Sequence, residues 1–119
     1  MLRRLNLLPK ETLTNKEVKF LKTLKSKLKK ELNDSYVDMI LFGSKARGDA
    51  NKDSDIDLLL VINNKQCIEK ADEVLFDIQM QYDIYNVNML IYLESNYKNQ
   101  LKNTKNTFFG NVKKEGIHI

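Results

Sequence analysis

GSKARGDANKDSDIDL, running from Gly43 to Leu58, holds a small-residue turn followed by two carboxylates one residue apart. The apolar run Tyr36 to Phe42 precedes it, so the chain is expected to leave a strand at Gly43 and open a short helical segment at Ser44. A strand-to-helix turn exposes backbone N–H groups that lack partners within the helix, and phosphate binds there readily. Glycine lets the backbone approach a phosphate closely, and the Ser44 hydroxyl adds a donor. The turn is not a P-loop, because GxxxxGK[ST] is absent. Asp55 and Asp57 are expected on a strand over Ser54–Ile62, where the period of two puts both carboxylates on one face, about 6 to 7 Å apart, with Ile56 and Leu58 pointing into the core. Two acids converging beside a phosphate site repel one another unless a cation lies between them, and Mg²⁺ suits oxygen ligands shared with phosphate oxygens. Such an arrangement fits in-line displacement of pyrophosphate from the α-phosphate of a nucleoside triphosphate. Asp53 shares their parity but precedes the strand, and is read as a loop acid.

Outward from this stretch the pattern is simple. Thr14 and Glu17 are spaced as a capping box, and Val18, Leu21, Leu24, Leu28 and Leu32 recur every three or four residues, predicting a helix over about 15–33 with one apolar stripe. The run Leu58 to Ile62 implies a strand buried on both faces, central in its sheet. Ile68, Ala71, Val74, Leu75, Ile78 and Tyr82 follow helical spacing. Asn86 to Leu93 has strand composition, Ser95 is placed to cap a short helix to about Lys102, and Phe108 to Glu115 reads as a last helix stopped by Gly116. There is no internal repeat and no linker. The expectation is a single α+β domain over 1–119, a two-layer arrangement with a small mixed sheet of three to four strands packed with helices.

The composition excludes several classes. The 119 residues suit one domain with one modest core. A single cysteine, Cys67, forbids an intramolecular disulfide and fits a reducing cytosol. With His118 the only histidine, a Cys/His zinc site is set aside. The longest apolar run falls far short of the roughly 20 residues that span a bilayer, and the N-terminal MLRRLNLLPK is too short and broken for a signal peptide, so a cytoplasmic protein is expected. The net charge of +4 is concentrated in lysines between Lys16 and Lys30, read as a solvated helix face, so direct nucleic-acid binding is not expected.

Gly43-Ser44, ten residues, then Asp55-x-Asp57 resembles the signature of the DNA polymerase β-like nucleotidyltransferase superfamily. The fuller GSKARG with SDIDL, and the ending NVKKEGI, resemble its minimal nucleotidyltransferase (MNT) branch across nearly the whole chain. The resemblance implies that Gly43 and Ser44 hold the triphosphate of ATP and that Asp55 and Asp57 hold Mg²⁺ ions and are the catalytic acids. Lys45 and Arg47 share the turn; each either reaches phosphate oxygens or is a surface charge, and Arg47 suits phosphate better by its fork geometry. The resemblance further implies a HEPN-domain ribonuclease partner, the pair forming a toxin-antitoxin system in which AMP passes from ATP to a tyrosine of the toxin.

One departure stands out. The third carboxylate of the superfamily falls at Asn88, and asparagine cannot take a hydroxyl proton at neutral pH. Two readings therefore stand together: an enzyme that adenylylates its partner, and a nucleotidyltransferase-fold antitoxin that neutralises the partner by binding. Transfer to a small molecule or an RNA end is a third, but so short a chain leaves little surface for such an acceptor. Leu2, Leu5, Leu7 and Leu8, with Phe108 and Phe109, either complete the core or cover a partner helix.

Overall fold

A computed structural model of the chain describes residues 3–4, 13–48, 54–103, 105 and 107–119. Asp53 and the four N-terminal leucines lie outside these residues. The described elements are β1 (Arg3–Arg4), α1 (Asn15–Leu32), β2 (Tyr36–Phe42), α2 (Ser44–Arg47), β3 (Ile56–Ile62), α3 (Ile68–Tyr82), β4 (Val87–Leu93), α4 (Glu94–Lys102), α5 (Thr107–Glu115) and β5 (Ile117–His118). The capping box at the start of α1 is made in both directions. Thr14 Oγ1 accepts from Glu17 N at 3.0 Å, and Glu17 Oε1 accepts from Thr14 N at 2.9 Å. Two of the helix's unpartnered first-turn donors are thereby satisfied.

The sheet order is β1-β5-β2-β3-β4. β2 runs antiparallel to β3, and β3 runs parallel to β4, which explains why a full helix, α3, separates the latter two. The three seven-residue strands are those expected. The two-residue β5 and β1 extend the sheet because Ile117 and His118 pair with Leu41 and Ile40, and Arg3 and Arg4 pair with β5 in turn. β3 is central and buried along its length except at Asp57, as its unbroken apolar run requires.

The sheet has two apolar faces. Met39, Leu41, Ile56, Leu58, Leu60 and Ile62 pack against α1 and α3 through Phe20, Leu21, Leu24, Leu28, Val74 and Ile78. On the other face Ile40, Leu59 and Val61 meet Tyr97 of α4 with Phe109 and Val112 of α5. The α+β class is as expected, with α4 and α5 adding partial cover to the second face. Phe108 and Phe109, left open between core and partner surface, divide: Phe109 is buried and Phe108 remains exposed. Among the described residues no helix is long and apolar enough to cross a membrane.

Candidate nucleotide-binding site

Alternation along β3 decides which side of the sheet carries the chemistry. Asp57 has the parity of Leu59 and Val61, so its side chain leaves the sheet on the α4/α5 face, beyond the end of the cover those helices provide. Asn88 is its register partner on β4. Asn88 Nδ2 donates to Asp57 Oδ1 at 3.2 Å and to Asp55 Oδ2 at 3.3 Å. Two carboxylate oxygens therefore bracket one point, filled by the partly positive amide hydrogens.

Asp55 stands just before β3, not within it as expected. It is held in place from both sides: Ile56 N donates to Asn86 O at 2.8 Å, and Asn86 Nδ2 donates to Ser54 O at 3.0 Å. Asn86 was not singled out from the sequence, since an asparagine before a strand has no distinguishing pattern.

Gly43 adopts φ 76°, ψ −158°, a left-handed φ that strains any residue with a side chain. A Cβ there would run into Asp57 Oδ2. The glycine therefore lets the turn close directly over the carboxylate. Its carbonyl accepts from Ala46 N and Arg47 N at 3.1 and 3.0 Å, and Gly48 at φ 90° ends the segment. Because α2 is a single turn, any preference for phosphate comes from its local N–H groups and the half-buried Ser44, not from a summed helix dipole.

The carboxylates of Asp55 and Asp57 offer only oxygen, which matches a hard cation completed by phosphate oxygens. Among the described residues no group of three or more His, Cys, Asp or Glu side chains gathers as a metal centre, at this site or any other. A family model described as nucleotidyltransferase domain matches residues 18–112.

The chain belongs to the nucleotidyltransferase domain family.

A relative from Methanocaldococcus jannaschii named "Putative protein adenylyltransferase MJ0141" is 26% identical over 105 residues, covering 86% of this chain and 97% of the relative. A crystal structure described as "the toxin-antitoxin with AMP-PNP" superposes with a TM-score of 0.55 at 17% identity, covering 88% of this chain and 72% of that one. At that identity the likeness speaks for the fold.

The nucleotidyltransferase does not use its two turn cations alike. Lys45 is 1% exposed, and its Nζ lies 3.2 Å from Glu17 Oε2 and 3.3 Å from Glu17 Oε1. In this structure Lys45 takes neither course left open for it, phosphate or solvent: as the second residue of α2 it points inward and joins the turn to the first turn of α1. Arg47 stays at the surface, its Nη1 3.6 Å from Glu115 Oε2. With Phe42, Gly43, Phe108 and Asn111, both residues of that pair line a cleft of about 210 Å³ between the end of β2, α2 and α5. The sequence marked Glu17 only as a capping residue. Its second role, as partner of a buried lysine 28 positions away, leaves no local signal.

Proposed function

We propose that this nucleotidyltransferase transfers AMP from ATP to a tyrosine hydroxyl of a HEPN-type ribonuclease partner, as the antitoxin of a toxin-antitoxin pair. The observation that carries the reading is the convergence of Asp55 and Asp57 on one point beside the Gly43 turn. The name of the archaeal relative and the toxin-antitoxin neighbour with AMP-PNP support the acceptor class.

Asp55 and Asp57 would hold Mg²⁺, which when bound draws charge from the phosphates and favours in-line attack. The Gly43–Ser44 turn and the Arg47 guanidinium hold the triphosphate, and Asp57 lies against the same turn. The tyrosine oxygen forms a bond to the α-phosphorus as the bond from that phosphorus to the bridging oxygen breaks. Pyrophosphate leaves with the electron pair, and the phenolic proton passes to solvent or to a base on the partner. Asn88 cannot accept it. An open site on so small a domain also needs the partner to position its own hydroxyl.

The second reading, neutralisation by binding alone, is favoured by one observation: an amide stands where a third acid would complete the site. Intact-mass measurement on the mixed pair with ATP and Mg²⁺ separates them. The expected result is a gain of one AMP on the partner that disappears with Asp57→Asn. A stable complex with no mass change rejects transfer and leaves the binding antitoxin.

A further inference from the structure

Of the residues that line the cleft beside Gly43, the chemistry described above uses only Gly43 and Arg47, at its edge toward the turn. Phe42 opposes Asp57 in the β2–β3 register and belongs to the second core face, so the cleft opens on the same side of the sheet as the carboxylates. Gly43 borders both. A ligand whose phosphates lie on the turn would therefore carry its next group into the cleft or away into solvent.

The lining of the cleft is aromatic and polar together. Phe108 is 36% exposed although it sits amid aromatic rings. Phe42 and Phe109 hold its ring edge to face at centroid distances of 5.3 and 5.0 Å, so it is fixed without being covered. The exposed Asn111 follows one turn later on α5. The volume of about 210 Å³ equals roughly seven waters at about 30 Å³ each, room for one bicyclic ring system. Glu115 at the rim is paired with Arg47, which offsets a charge that would otherwise repel an incoming triphosphate.

We infer that this cleft receives the base of the donor nucleotide, with Phe108 as its stacking face and Asn111 as the residue that selects adenine. The inference rests on the reading of ATP as donor. Bases of every kind stack on aromatic rings, so Phe108 supplies affinity without choice. Asparagine supplies choice, because its amide can accept from adenine N6 while donating to N7, whereas guanine offers two acceptors, N7 and O6, along the same edge.

Calorimetric titration of the whole chain in Mg²⁺ with AMP-PNP, GMP-PNP and tripolyphosphate tests this. Stacking and bidentate contacts of this kind correspond to about tenfold or more in affinity. Phe108→Ala should therefore weaken AMP-PNP binding about tenfold while Phe108→Tyr restores it, and Asn111→Ala should erase most of the preference for AMP-PNP over GMP-PNP. Tripolyphosphate, which has no base, should bind every variant alike. Variants that bind AMP-PNP as the wild type does overturn the inference, as does equal loss of tripolyphosphate. An unchanged nucleotide affinity with a raised KM for the protein acceptor also overturns it and gives the cleft to the acceptor. A wild type that binds neither AMP-PNP nor tripolyphosphate rejects the nucleotide reading itself.

Discussion

At Gly43 a hydrogen atom stands where any other residue would drive a carbon into the Asp57 carboxylate. Gly43→Ala combines that collision with a left-handed φ, and residues held in sparsely populated backbone regions cost on the order of 1–3 kcal/mol. The turn should shift away from Asp57, and titration with AMP-PNP should show at least a tenfold loss of affinity; full retention would separate the turn from nucleotide binding. Asn88 poses the opposite problem. Its amide satisfies two acids, and Asn88→Asp would place a third negative charge among them. Charges about 4 Å apart interact by roughly 1 kcal/mol in bulk water and about 4 kcal/mol near a protein surface. The variant should melt lower than the wild type without divalent cation, gain more from added Mg²⁺, and transfer AMP faster. A melting point indifferent to Mg²⁺ would mean that position 88 does not share a cation with Asp55 and Asp57.

Between elements, the decisive contact is the buried pair of Glu17 and Lys45, which binds the first turn of α1 to the turn that follows β2. Removing one partner of such a pair strands the other charge in a low-dielectric interior, typically at a cost of about 3–5 kcal/mol. Lys45→Met should therefore lower unfolding stability by about that amount in denaturant melts, and a double variant that also replaces Glu17 with Met should recover part of it. A single variant as stable as the wild type would show the pair to be dispensable. This is also where the sequence stopped being legible. The long elements could be read from it, because Leu21, Leu24 and Leu28 keep a helical period and Leu58 to Ile62 form an unbroken apolar strand. Asn88 could be singled out only through the superfamily resemblance, which puts the third acid there; alternation in twos does not set the register that brings it opposite Asp57. Lys45 could not be placed, since its burial depends on a residue brought near only by tertiary packing, and a lysine in a phosphate-type turn ordinarily faces outward. β5 escaped for a similar reason: two residues carry no periodicity, and only the exposed edge of β2 makes a strand of them.

Over the whole molecule, two tyrosines tie protonation to the integrity of both faces of the sheet. Tyr36 packs against the α1/α3 core, and Tyr97 lies within the α4/α5 core. Burial, and secondarily the nearby Asp38 charge, pushes the Tyr97 hydroxyl up to about 12, and the same causes in the same order raise Tyr36 further. Both groups thus hold their protons more tightly folded than unfolded. Between the unfolded value near 10 and the raised folded values, the unfolded chain binds fewer protons, so stability must fall as pH rises. The tyrosine contribution is fully present below about pH 10, and it diminishes through pH 12 for Tyr97 and beyond that for Tyr36. One sheet shared by both cores should unfold cooperatively, so loss on either face is expected to appear in one transition. Tyr97→Phe keeps the ring against Phe109 and removes the titrating group. Denaturant midpoints measured from pH 9 to 12 should decline less steeply in this variant than in the wild type, with the two converging at the low end of the range. Parallel curves would remove Tyr97 from the account.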